Sequence, residues 1–307
     1  MKKLLLLQFL FISVTIVSQA YFGQLGADID GEAAGDYSGC SVSINAAGDR
    51  IAIGAYRNDG NGIDAGHVKI YDWNGTAWTQ LGADIDGEAT GDKSGYSVSI
   101  NAAGDRVAIG AYRNDGNGID AGHVKIYDWN GTAWTQLGAD IDGEATGDKS
   151  GYSVSINAAG DRVAIGAYRN DGNGIDAGHV KIYDWNGTAW TQLGADIDGE
   201  ATGDKSGYSV SINAAGDRVA IGAYRNDGNG IDAGHVRIYE WNGTAWTQLG
   251  ADIDGEAPND YSGYSVSINA AGDRLAIGAH RNDGNVIEAG HVRIYEWNGT
   301  AWTQLGA

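Results

Sequence analysis

The sequence predicts an all-β fold, a β-propeller of five four-stranded antiparallel blades. Three observations lead there. One 56-residue unit is written five times along the chain. Each unit holds four alternating or β-branched runs separated by turn signals. Both faces of its clearest hairpin are apolar, so both need a neighbour, as in a propeller blade. An open array of small β-sandwiches is the competing architecture, but one unit is short for a sandwich.

"QLGADIDGEA" begins at Gln24, Gln80, Gln136, Gln192 and Gln248. The units are therefore 24–79, 80–135, 136–191, 192–247 and 248–303. The second and third are identical, and the fourth differs from them only at Arg237 and Glu240. Copies this similar point to recent duplication.

In the second unit, "GYSVSI" at 95–100 sets Tyr96, Val98 and Ile100 on one side and Ser97 and Ser99 on the other. That period of two predicts a strand. "NAAGD" at 101–105 turns the chain, and "RVAIGAY" at 106–112 predicts the second strand. Small Ser, Gly and Ala residues suit a crowded central axis. The third and fourth strands read most clearly in the first unit, as "HVKIYDW-NG-TAWTQLG". Asn74-Gly75 predicts a two-residue type I′ turn, with both turn residues at φ > 0. That register places Trp73 opposite Thr76 and Tyr71 opposite Trp78. One face then carries Tyr71, Trp73 and Trp78, and the other Val68, Ile70, Ala77 and Leu81. Nothing after the leader reads as a helix.

The leader is "MKKLLLLQFLFISVTIVSQA", two lysines, an apolar run and a small-residue cleavage site. Residues 1–20 are expected to be a secretory signal peptide, and 21–307 a single propeller domain, secreted or at the cell surface. The apolar run is too short for a membrane anchor. Without Lys2 and Lys3 the chain keeps 18 Lys and Arg against 40 Asp and Glu, a net of −22. Such a surface repels nucleic-acid phosphates and anionic membranes, so neither nucleic-acid binding nor membrane insertion is expected. The single cysteine, Cys40, excludes a disulfide within one chain.

The words "SGYSVSI", "RVAIGAYRND" and "AGHVKIYDW", repeated in register, resemble the FG-GAP repeat, the blade unit of integrin-α propellers. Gly95-Tyr96 is similar to the family's Phe-Gly opening, and Ile109-Gly110-Ala111 to its hydrophobic-Gly-Ala. The resemblance is strongest to secreted bacterial surface proteins with Trp-x-Gln-Leu-Gly repeats, which usually carry a C-terminal sorting domain. That family often has seven blades, so five units imply either a five-bladed ring or a shortened member. At the seam, residues 301–305 are expected to take the outer edge of the last blade, with 21–25 lying loosely beside it or adding one further strand outside it.

The resemblance places calcium between the first and second strands. Here that connection, 101–105, has one carboxylate, so the family site does not carry over. Two other loops are weak calcium candidates. "NDGNGID" offers Asp59, Asn61 and Asp64, and lacks the twelfth-position Glu of an EF-hand. "DIDGEATGD" offers Asp84, Asp86, Glu88 and Asp92 at positions one, three, five and nine, and is expected to cross between blades. Their repeat equivalents share these expectations. A turn and a solvated acidic loop explain both, and no cofactor is expected.

His67, His123, His179, His235 and His291 recur once per unit, too far apart for a shared zinc site, and read as half-exposed strand residues. Asn74-Gly75-Thr76 fits a glycosylation sequon that the turn already explains. No nucleophile–base pair stands out. A catalytic centre needs different groups in one pocket, whereas these copies hardly differ, so no enzyme is expected. The expected role is adhesion or protein recognition outside the cell. A lectin-like propeller using Trp73, Trp78, Arg57, Asn58 and Asp59 is the alternative, and a propeller hydrolase or lyase the least favoured. Oligomeric state is left open.

Overall fold

The computed structural model describes residues 23–284 and 286–306. The predicted signal peptide lies outside them. Among the described residues the fold is all-β, five sheets with no helix. In the first blade the strands are Ser41–Ile44, Arg50–Ala55, His67–Trp73 and Trp78–Gln80, paired in sequence order. The second blade repeats them as Ser97–Ile100, Arg106–Ala111, His123–Trp129 and Trp134–Gln136. The pattern continues to the fifth blade, which ends with His291–Trp297 and Trp302–Gln304. Residues 302–304 thus hold the outer edge of the last blade, as expected.

The outer strand has a second piece. Ile85–Asp86 pairs with Val68 and His67 after a break, within which the Leu81 amide donates to the Ile70 carbonyl at 2.7 Å. The crossing therefore starts at Gly87, and the first half of "DIDGEATGD" is strand rather than crossing. Of the residues expected beside the last blade, 21–22 lie outside the described residues, and Leu25 sits on the first blade instead. The Leu25 carbonyl accepts the indole N–H of Trp78, in the first blade, at 3.0 Å.

The hairpin turn has four residues, not two. Trp73 pairs with Trp78 and Tyr71 with Gln80. The Asn74 side-chain oxygen accepts the amides of Thr76 (3.0 Å) and Ala77 (2.9 Å) and the Thr76 hydroxyl. Only Gly75 has positive φ, at 95°, so the turn is not type I′. The register moves by two residues, which keeps every side chain on its predicted face because the strand period is two.

Those faces build the core between blades. The first blade supplies Ala52, Val68, Ile70 and Ile85, with Leu81 at the margin. The second answers with Val98, Ile100, Val107 and Ile109, flanked by Tyr127 and Trp134. Polar bonds cross the same junction. The Ser41 hydroxyl donates to the Gly95 carbonyl, the Ile100 amide to Ser43, and Arg50 to the Gly104 carbonyl. The later junctions repeat this packing.

The series is open. Val98 and Ile100 are nearly covered, whereas their first-blade counterparts Val42 and Ile44 are 60% and 56% exposed. Val236 and Ile238 are fully buried, whereas Val292 and Ile294 of the fifth blade are 66% and 47% exposed. The first and fifth blades do not cover each other, so the five units do not make a closed ring.

Candidate functional site

A cleft opens at the outer edge of each of the first three junctions between blades. Between the first and second blades it is lined by Asp84, Ile85, Asp86, Tyr127, Ala133 and Trp134 and holds about 200 Å³. The next two junctions repeat it at about 190 and 170 Å³, with Asp140, Asp142, Tyr183 and Trp190, then Asp196, Asp198, Tyr239 and Trp246. The carboxylates come from the outer strand of one blade and the aromatics from the hairpin of the next. The Trp134 indole N–H is held on the Leu81 carbonyl at 3.0 Å. Gln80 steadies Asp84 through a 2.6 Å bond. The Asp86 carboxylate is on the exposed side of its strand. Each cleft thus offers acceptors beside aromatic surface, in identical form.

Behind the cleft lies a charged cluster. Glu88, His123 and Asp140 converge, and Lys125 sits among them, paired with Glu88 and 3.6 Å from Asp140. Equivalent groups occur at Glu32, His67 and Asp84, at Glu144, His179 and Asp196, and at Glu200, His235 and Asp252. In the last, Arg237 takes the lysine's place, 3.2 Å from Glu200. The basic side chain balances the carboxylates where a cation would otherwise sit. These histidines are buried rather than half-exposed, because the second piece of the outer strand, Ile85–Asp86 in the first blade, pairs with the start of their strand. Burial holds His123 and His179 below the usual imidazole range, with Lys125 and Lys181 adding to the effect. His235, buried beside Arg237, is pushed down to about 4.

Among the described residues the predicted calcium ligands of a single loop do not form one cluster; Glu88 instead meets Asp140, the Asp84 equivalent of the next unit, around Lys125. The Asp59 carboxylate accepts the Asp64 amide at 2.7 Å, Asn61 donates to the Gly87 carbonyl, and Asp64 pairs with Lys93 at 2.7 Å. In the other loop Asp84 binds Gln80, and Glu88 reaches Lys125 of the following blade. Asp92 is buried and accepts Asn114 at 3.0 Å and the Ala89 amide at 3.1 Å. These contacts stitch loops to blades. Arg57, Asn58 and Asp59 lie away from Trp73 and Trp78. Arg57 stacks on Tyr37 and Tyr56, and Asn58 donates to Asp36.

The comparisons agree with this architecture. Residues 28–71, from the segment before the first blade to its third strand, match the FG-GAP repeat. The chain carries the FG-GAP repeat. The later FG-GAP blades repeat the matched residues at 56-residue spacing. Among solved structures, a Bacteroides uniformis protein provisionally named as a 6-phosphogluconolactonase is similar in fold. Its TM-score is 0.60 at 10% identity, over 87% of this chain and 71% of that one. At that identity the likeness concerns fold alone. No curated protein matches the chain.

One feature of the FG-GAP blades carried no signal in any single unit. Tyr96, Tyr152, Tyr208 and Tyr264 stack along the series, with ring centroids 4.7–4.9 Å apart. Tyr96 and Tyr152 share a 2.8 Å hydroxyl bond, and Tyr152 and Tyr208 one of 2.9 Å. Burial raises Tyr96 to about 12 and raises Tyr152 and Tyr208 further, so these three stay neutral. Tyrosine at the head of the first strand was visible in the second to fifth units, Cys40 taking its place in the first, but its stacking partner is the same residue one repeat away.

Proposed function

We propose that this chain is a non-enzymatic recognition protein of the cell exterior, mediating adhesion by binding a repeated partner at several equivalent places. The observation that carries this is the outer cleft, which recurs at successive junctions with the same residues. Repetition suits multivalent binding, where weak contacts add into strong attachment. It suits catalysis poorly, because one reacting centre needs unlike groups gathered once. The leader and the FG-GAP likeness support an extracellular setting, and the acidic surface disfavours nucleic acid.

Avidity is directly measurable. The mature chain is screened against immobilised extracellular proteins and glycans at graded densities. Dissociation should slow sharply as ligand density rises, and Asp86→Asn, Asp142→Asn and Asp198→Asn should weaken binding cumulatively. Dissociation rates that ignore density would refute multivalency.

The cleft lining favours saccharide as the alternative ligand class. Carboxylates accept sugar hydroxyls, and an aromatic face packs on the C–H side of a sugar ring. Saturable binding to one sugar class on a glycan array, lost in the triple Asp→Asn variant, would support it. Binding confined to proteins would exclude it.

A further inference from the structure

The two ends of the blade series are the two halves of one interface. We propose that copies of this chain associate head to tail, the first blade of one copy packing on the fifth blade of another.

The argument rests on an interface the chain already makes four times. At each internal junction one blade presents a Val-x-Ile pair from its third strand, and the next covers it with a Val-x-Ile pair from its first. The fifth blade presents Val292 and Ile294, and the first presents Val42 and Ile44, all four exposed. Both blades carry the apolar residues of the internal ones uncovered, so each exposes surface suited to a partner.

The polar half of the interface is also intact. Ser265, Ser267 and Arg274 occupy the places of Ser41, Ser43 and Arg50, which bond across the first junction. The Arg274 side chain is 60% exposed, against 18% for Arg50. Shape agrees as well. A side chain at Gly54 would collide with the Gly95 carbonyl of the following blade. Gly278 is the counterpart of Gly54, yet a side chain there would meet only Ser265, its partner on the neighbouring strand of the same blade. In place of a neighbour there is a cavity of about 380 Å³, bounded by Tyr264, Ser265, Gly278, His280, Gly290 and Val292. By repeat equivalence it is where Ser38-Gly39 of a second copy would sit, as Ser94-Gly95 sits against Gly54 and Gly66.

The faces differ from each other, so the contact is heterologous and extends to rings or filaments. Sedimentation of the mature chain over a wide concentration range should show species larger than the monomer, growing with concentration. Val42→Asp spoils one face and Ile294→Asp the other. Each variant alone should be monomeric, and an equimolar mixture should form dimers and stop there. Both positions are exposed, and circular dichroism with a thermal scan checks that each variant folds. Arg274→Ala, a milder change on the same face, should shift the association midpoint to at least several-fold higher concentration. A wild-type monomer at every concentration overturns the proposal. So does a mixture that stays monomeric, or a Val42→Asp chain that still dimerises with itself.

Discussion

Asn74 holds its turn with its side chain. Its carbonyl oxygen gathers three donors from Thr76 and Ala77, and this lengthens the loop from two residues to four. Asn74→Gly should cost about 1 kcal/mol per turn, the usual worth of such bonding, read as a lowered urea midpoint. Gly75→Val should cost more, because a β-branched residue resists φ near 95°. The histidines act through pH. Burial keeps His123, His179 and His235 neutral in the fold, while the unfolded chain takes up protons near pH 6.5. Their contribution is therefore complete above about pH 6.5 and is lost as pH falls toward 4. Thermal midpoints should drop across that window, and His235→Gln should flatten the drop. Neither effect was legible in the sequence. An Asn-Gly pair reads the same in both turns, and a histidine's burial depends on a strand piece about eighteen residues further on.

At the scale of the element, the blade was largely legible. Strand positions and faces follow from period-two patterns, and they survive the misjudged turn because the register error was itself two residues. The crossing loops were harder. "DIDGEATGD" looks like a cation loop because carboxylates recur at odd positions, yet Asp84, Glu88 and Asp92 each serve different partners. Asp92 does the most, binding Asn114 of the next blade away from water and capping the Ala89 amide at the surface. Asp92→Ala should orphan the buried Asn114 amide and cost about 2 kcal/mol, measured by chemical denaturation. Asp86→Ala, at an exposed strand position in the same stretch of sequence, should cost little. Equal losses would mean the loop acts as a solvated whole.

Over the whole molecule, stability is a sum of blades and junctions. Internal blades have two covered faces, and the terminal blades one each. Hydrogen exchange should therefore be slowest in Arg162–Ala167 of the third blade and faster in Ser41–Ile44 and His291–Trp297. Uniform protection along the series would show an all-or-none unit instead. The open ends were not legible either. Repeat count and strand pattern say what a blade is, but the angle between blades, which decides closure, is set by packing at the junction. The outer clefts are a similar case, since their walls come from two units and neither half is distinctive alone.

The identity of the second and third blades has a kinetic side. A blade recognises its neighbour by residues that its neighbour's neighbour also carries. During folding, the first blade can dock the third as readily as the second, leaving one unit looped out. Closing the longer loop costs only slightly more entropy, because that cost grows with the logarithm of length. The native order therefore wins by sequence proximity and by the number of junctions finally made, not by molecular recognition. Refolding from urea should show a slow, denaturant-accelerated phase in which such skipped arrangements come apart. Changing the Val-x-Ile pairs at one junction to a complementary pair of different size should remove part of that phase, while leaving the native blades as they are.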